Sequence, residues 1–329
     1  MTRPLVSIVM PCRNAGPWIG EAVRSCLEQS WQNLELIVVD NGSTDESMAV
    51  AGAYASPKVK LLACERPGAS AARNDGLAAA QGDFIQHLDA DDHLHPCKIA
   101  IQLDRLRECS HGTVASGAWA RSVNDSANAA FRPEPVWRDM SATEFLISSW
   151  RGGGMMPPMV WLAPREVVER SGSWNEELTL NDDGEYFARV LLASGRIAFC
   201  GDAKSFYRTL PVHSLSKRTD REARISELKS IELSSAHLLS ADWSASARHA
   251  CAAHFQRFIY GTYPESPDLI ASAERQARDL GGSDLPCPGG PAFQMLSSFV
   301  GWKRARRVQL LARWMRARMR NSITSSLVA

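Results

Sequence analysis

Three carboxylates, Asp89, Asp91 and Asp92, follow a short apolar run at residues 84–88 that begins just after Gly82. The run has the length and flanks of a strand inside an open sheet. In extended backbone alternate side chains share a face, so Asp89 and Asp91 are expected to project together, with the small Ala90 turned away. Two carboxylates at a sheet edge offer hard oxygen donors suited to Mg²⁺ or Mn²⁺ carrying a diphosphate. An acidic turn after a strand is the plainer account, because Asp is common in turns. A second acidic group, Asp182, Asp183 and Glu185, opens a segment in which Tyr186, Phe187, Val190 and Leu191 recur at helical spacing. Acids in a first helical turn complement the dipole and cap free N–H groups, which accounts for them without further chemistry.

Groups so far apart in sequence need a scaffold to meet. Apolar strands are expected at residues 5–10, 34–39 and 59–63, ahead of the one at 84–88. Helices are expected between them, at about 17–29, from a capping box at Ser43–Glu46 to about 54, and at 69–80. A further helix should follow, with Pro96 in its first turn. Strand and helix alternating in this way predict right-handed βαβ units and a parallel sheet. Ligands of such sheets sit at the carboxyl ends of the strands, so residues 11–14, 40–43 and 89–92 should meet along one edge. Later come a strand near 113–119, a helix from a second capping box at Ser141–Glu144 to about Trp150, and short strands near 197–199 and 205–207. The run RGGGMMPP at 151–158 breaks both periods; it is either a phosphate cradle or a plain loop, and it lacks the Lys and Ser/Thr of a P-loop. From about 219 the pattern is helical, at 219–240, 244–260, 266–279, 288–299 and 302–320.

The chain has 329 residues, 45% hydrophobic and 22% charged, ordinary for one large α/β domain with an appendage. A net charge of +1 argues against a general polyanion binder, and no nucleic acid is expected as a partner. The eight cysteines are scattered with no C-x-x-C, as in a cytoplasmic protein with reduced thiols. A strand begins within a few residues of Met1, so no signal peptide is expected. No run approaches the roughly 18 apolar residues of a spanning helix. In the last helix Val308, Leu311, Met315 and Met319 recur at helical spacing among arginines. That helix either lies on an anionic membrane surface or docks on the protein with its basic face in water. No G-x-G-x-x-G follows Met10, which disfavours a dinucleotide-binding dehydrogenase, and no lysine-containing Gly-rich signature of a nucleotidyltransferase is present.

Taken in order, VSIVMPCRNAGPWIGEAV, LELIVVDNGSTDES, ERPGASAARNDGLAAAQGDFIQHLDADD and WNEELTLNDDGEYFARVLLASG resemble the inverting glycosyltransferases of family 2. The resemblance covers about residues 4–217. It implies the GT-A fold, an α/β architecture with a central, mostly parallel sheet flanked by helices. Residues 1–217 would form that domain and 218–329 a helical extension ending in the basic amphipathic helix. The resemblance further implies a nucleotide-sugar donor, most often a UDP-sugar, and Mn²⁺ or Mg²⁺. The sugar would pass to a hydroxyl of a saccharide or lipid-linked acceptor, in the cytoplasm or at the inner face of the membrane, as in bacterial surface polysaccharide or glycolipid assembly.

Carried over residue by residue, Pro11, Arg13 and Asn14 line the nucleoside pocket. Asp40 faces the base, where a carboxylate suits the imide N–H of uracil, with Asn41 and Ser43 beside it. Arg66, Gly68 and Arg73 approach the base and phosphates, Arg73 as a partner for diphosphate oxygens. Asp89, Ala90 and Asp91 match the D-x-D segment, Asp89 toward ribose and metal and Asp91 toward metal, with Asp92 in support. Asp183 matches the catalytic base. Asp182 stands where many relatives carry Glu, which leaves open which of the two takes the proton. His213, or Lys217 and Arg218, would complete the metal or diphosphate contacts from a late loop. The alternative is a non-catalytic sugar-nucleotide-binding or scaffold protein of the same fold, against which the acids at 89, 91 and 183 speak.

Overall fold

The computed structural model describes residues 3–122, 129–209 and 218–326. The chain opens with strands β1 (Val6–Cys12), β2 (Leu34–Asp40), β3 (Val59–Ala63) and β4 (Phe84–His87), joined by helices α1 (Gly16–Leu27), α2 (Ser47–Gly52) and α3 (Ala69–Ala79). These strands pair in parallel, β1 with β2 and β4, and β2 with β3. Every residue of β1 is buried, which is why its sequence reads as a continuous apolar run. Then follow β5 (His93–Leu94), α4 (Lys98–Arg107), β6 (Val114–Ser122), β7 (Met140–Ser141), α5 (Ala142–Ser148), β8 (Leu162–Pro164), α6 (Arg165–Ser171), α7 (Asp182–Ser194) and β9 (Arg196–Arg208). Among the described residues all strands join one sheet in the order β3-β2-β1-β4-β8-β6-β9-β5, with β7 on β9. β6 and β9 are parallel, while β8 runs antiparallel to β4 and β6.

The ends of β1, β2 and β4 meet along one edge, as the strand–helix alternation requires. The Asn41 N–H donates to Cys12 O at 2.8 Å, Cys64 N–H to Asp40 O at 2.8 Å, and Leu88 N–H to Val9 O at 3.0 Å. Helix α3 lies close over this part of the sheet. It starts after Gly68, whose φ of +111° excludes most side chains. At Gly76 a Cβ would stand 2.5 Å from Val9 Cγ1, so glycine alone permits the approach.

Three local expectations differ from the structure and a fourth is met. α2 starts at Ser47 rather than after a cap at Ser43, because the Ser43 hydroxyl accepts from Asn14 N–H at 3.1 Å. The second capping box does form, with Ser141 Oγ accepting from Glu144 N–H at 3.2 Å. α4 begins at Lys98, beyond Pro96. β9 is a single strand where two were expected, held together by β6 alongside, with a register irregularity between Gly117 and Trp119.

The chain divides into two compact units after Cys251, later than the change of pattern at 217. Helix α8 (Arg221–Ala241) belongs to the first unit because its serines close the approach to α7. Ser226 Oγ accepts from Thr179 N–H at 2.8 Å and Leu180 N–H at 3.0 Å, and Ser230 Oγ donates to Asn181 O at 2.6 Å. After α9 (Ala245–Thr262), the second unit contains α10 (Pro267–Asp279), α11 (Pro291–Val300) and α12 (Trp302–Ser326). Cys287, Phe293 and Ala305 are buried there, with Tyr260, Leu296 and Trp302 packed against them. All eight cysteines are unpaired. No helix among the described residues is long and apolar enough to cross a membrane.

Candidate active site at the carboxyl edge of the sheet

The acidic segment after β4 is a tight turn, not a continuation of the strand: Asp92 N–H donates to Asp89 O at 3.0 Å. The chain must reverse here, because β5 returns antiparallel against β9. Asp89 and Asp91 therefore flank a turn, with Ala90 buried between them. Burial, then the charge of Asp89, pushes the Asp91 carboxyl up to about 6. Burial, with Asp91 and Asp89, holds the Asp92 carboxyl well above the usual range. One residue pins this turn, through its backbone and its side chain. The buried Arg208 donates from its backbone N–H to Asp92 Oδ1 at 2.8 Å and from Nε to Asp91 O at 2.8 Å. A terminal nitrogen of the same guanidinium reaches Glu21 Oε2 on α1 at 2.5 Å.

The two acidic groups are joined through α3. Arg73, 5% exposed, donates to Asp89 Oδ1 at 2.8 Å and to Asp182 Oδ2 at 2.8 Å. Ser70 Oγ adds a third bond, to Asp182 Oδ2 at 2.9 Å. The guanidinium lies 4.4 Å over the ring of Trp174, which stacks on Tyr186 at 3.9 Å. Burial opposes the charge on Arg73, but Asp89 and Asp182 outweigh it and raise its pKa. Arg73, the residue expected to meet diphosphate oxygens, engages a carboxylate with each of its terminal nitrogens.

Asp182 and Asp183 differ in surroundings although they are neighbours in the first turn of α7. The Asp182 carboxylate is engaged by Arg73 and Ser70. Asp183 Oδ1 accepts from the Gly184 N–H at 2.9 Å. Burial, then the charge of Asp182, pushes the Asp183 carboxyl up to about 6, against the pull of Arg73. This turn is aimed by Asn181, which takes a left-handed φ of +58° and donates from Nδ2 to Ser230 Oγ at 2.8 Å.

On the other side of the edge, the loops after β1 and β2 are stitched together. Asn14, at φ +51°, accepts from Thr44 N–H on Oδ1 at 2.8 Å, and Asp40 Oδ1 accepts from Ser43 N–H at 3.1 Å. Asn41 is buried, donating to Arg66 O at 2.7 Å and accepting from Gly68 N–H at 2.8 Å. Pro11 is buried in β1, and Arg13 is exposed at its end. Arg66 is exposed and ion-pairs with Asp75 and with Glu176, the latter at 2.7 Å. His213 and Lys217 lie outside the described residues. Arg218 pairs with Asp220 at 2.8 Å.

Among the described residues no three or more His, Cys, Asp or Glu side chains are grouped to hold a metal ion. The donors present nevertheless fit a hard cation. Asp91 is a half-buried carboxylate whose pKa is raised by burial and by the negative charge of Asp89, and a divalent ion would supply the missing positive charge.

Residues 7–169 match the family model described as Glycosyl transferase family 2. Glycosyltransferase GlyG of Streptococcus pneumoniae serotype 4 is 40% identical over 213 residues, covering 62% of this chain and 70% of GlyG. The chain belongs to glycosyl transferase family 2. An uncharacterized glycosyltransferase of Haemophilus influenzae is 41% identical over 123 residues, 36% of this chain. The chain spans only 49% of that relative's length and 27% of the uncharacterized glycosyltransferase YibD of Escherichia coli. Among solved structures, residues 1–349 of S. aureus TarS in complex with UDP-GlcNAc align with a TM-score of 0.69 at 18% identity, over 86% of this chain and 82% of that one. The mannosyltransferase PcManGT of Pyrobaculum calidifontis, in complex with GDP-Man and Mn²⁺, aligns with a TM-score of 0.55 at 19% identity, over 93% and 83%. The sheet and its flanking helices are thus those of the GT-A fold.

In this family 2 site, two contributors escaped the sequence reading. Arg208 ends a strand, 117 positions from the turn it pins, and only its place as the last residue of an apolar–aromatic run marked it. Ser70 lies in an alanine-rich helix where a small hydroxyl carries no signal.

Proposed function

We propose that the protein is a metal-dependent inverting glycosyltransferase that moves a sugar from a nucleotide-sugar, a UDP-sugar by preference, to an acceptor hydroxyl. One observation supports this reading: Arg73 ties Asp89 of the acidic turn to Asp182 of α7, the chain neighbour of Asp183. Asp183 is the base. Its raised pKa gives it proton affinity suited to a hydroxyl, and its carboxylate is not taken by the bridge. Asp182 is a positioning residue, engaged by Arg73 and Ser70.

In the reaction the acceptor oxygen attacks the anomeric carbon as Asp183 takes its proton. The bond from that carbon to the phosphate oxygen breaks on the opposite face, and the nucleoside diphosphate leaves with the electron pair, so the configuration inverts. Mn²⁺ or Mg²⁺, held through Asp91 and Asp89, would supply Lewis-acid stabilisation of the leaving diphosphate. Asp40, at the end of β2 and half-exposed, is the partner for the uracil imide, with Arg13 and Pro11 bounding the nucleoside. Asn14, Asn41, Ser43 and Gly68 shape that pocket through the loop bonds they make, and Arg66, paired with Asp75 and Glu176, borders it. The acceptor is a saccharide or lipid-linked hydroxyl. TarS and PcManGT, solved with UDP-GlcNAc and with GDP-Man and Mn²⁺, support a nucleotide-sugar donor.

The test is calorimetric titration of UDP and GDP with Mn²⁺ and with metal chelated, on the wild type and Asp91→Asn. Tight UDP binding that needs both Mn²⁺ and Asp91 is the expected result. UDP binding indifferent to both would overturn the metal assignment, and binding of GDP but not UDP would overturn the donor.

A further inference from the structure

The apolar surface of the chain is unevenly distributed. Of the eleven large hydrophobic side chains exposed among the described residues, eight lie between Met295 and Met315. On α11, Met295 and Phe299 are one turn apart, 65% and 82% exposed. On α12, Val308, Leu311 and Met315 follow at the spacing of one helical face, 53%, 55% and 45% exposed. The opposite side of this pair of helices is already satisfied: Phe293, Leu296, Trp302 and Ala305 pack together, and Arg306 sits 4.9 Å over the Phe293 ring. The exposed residues are therefore not part of the unit's own core.

Charge is just as uneven. From Leu285 to Ala329 the sequence has eight Lys and Arg and no Asp or Glu, although the whole chain carries a net charge of only +1. A surface with that composition selects its partner. A second copy of the same face would bring like charges, Arg304 and Arg307 among them, against one another. A nucleic acid would neutralise the cations but leave the apolar stripe in water. An anionic lipid surface satisfies both, since phosphate headgroups meet the arginines while the stripe enters the acyl boundary. No described helix is long and apolar enough to span, so the helix lies in the plane of the interface.

We infer that α11 and α12 form a peripheral docking surface for an anionic bilayer, with Met295, Phe299, Val308, Leu311 and Met315 as the inserted side chains and Arg304 and Arg307 among the headgroup contacts. The experiment is co-sedimentation of the full chain with phosphatidylcholine vesicles, with and without phosphatidylglycerol, at low and high salt. Three forms are compared: wild type, Phe299→Asp/Leu311→Asp, and Arg304→Glu/Arg307→Glu. Nucleotide titration on each form reports an intact first unit separately, so lipid binding and the donor assignment can fail independently. Binding about tenfold or more stronger to the phosphatidylglycerol vesicles, weakened by salt and by both variants, is expected. Equal binding to both vesicle types overturns the inference. So does wild-type partitioning in both variants, or self-association at this face with no lipid binding.

Discussion

Replacing Arg73 by Met tests whether the site is assembled by one buried cation. Arg73 is 5% exposed and makes charge-assisted hydrogen bonds to two acids on different elements. A hydrogen bond to a charged group contributes roughly 1.5–3 kcal/mol, and removing one member of a buried pair costs about 3–5 kcal/mol, because the partner's charge is left behind. Here the Asp89 and Asp182 side chains keep 31% and 19% of their exposure, so water recovers part of the loss. The lower end, about 3 kcal/mol, is therefore expected, equivalent to a fall in Tm of about 6–12 °C for a unit of this size. A cycle with Asp182→Asn should return a coupling of at least about 1 kcal/mol. The change has a second consequence. Arg73 pulls the Asp183 pKa down, so without it the carboxyl titrates higher and the acid limb of the pH–rate profile moves to higher pH. Urea unfolding and that profile are the assays. A loss below about 1 kcal/mol together with an unmoved limb would refute the bridge as the organising contact.

The two acids of α7 should separate in kinetics. Asp183→Asn is expected to lower kcat by about 10²- to 10⁴-fold with donor affinity retained, the range for a missing general base, whereas Asp182→Asn should chiefly lower stability; equal kcat losses would mean the base is misassigned. With its carboxyl at about 6, Asp183 is protonated and inactive at lower pH, so kcat/KM should fall about tenfold per unit below that point. Asp182→Asn, by removing a neighbouring negative charge, should move this limb to lower pH. Arg208→Ala removes the side-chain bonds to Asp91 O and Glu21, leaving the backbone bond to Asp92, and should weaken Mn²⁺-dependent UDP binding about tenfold, with Arg208→Lys no better because the two-pronged contact is lost; unchanged binding would leave Arg208 a purely structural residue. His87 is buried, and burial followed by Arg73 pushes its imidazole down to about 3. An unfolded chain takes up that proton near 6.5, so the contribution is complete above 6.5 and is lost as pH falls toward 3. About 2–3 kcal/mol should have gone by pH 4.5, and His87→Phe should lack that slope in urea midpoints.

The strand ends that build the site were legible because β1 and β2 are buried on both faces and announce themselves as apolar runs ending in polar residues. The acids were legible by type. Their division of labour was not, since Asp182 and Asp183 have the same side chain and the same place in a first helical turn. What distinguishes them is a guanidinium 109 residues earlier in the chain, and no local pattern encodes which of two neighbours it will meet. The same holds for Ser43, whose hydroxyl had a local use as a helix cap and a distant one on Asn14. The distant bond prevailed, because it locks two loops of the sheet edge together instead of one turn of a short helix. These errors of reading share a cause: each falls where a polar side chain could satisfy its own neighbourhood and instead joins two elements. In this family 2 chain such residues are concentrated at the sheet edge. The polar groups that most mislead a local reading are therefore the ones that hold Asp89, Asp91 and Asp183 in register. A second-site screen for variants that fold but lose donor binding should accordingly return Arg73, Asn41 and Arg208 ahead of any residue of the apolar strands.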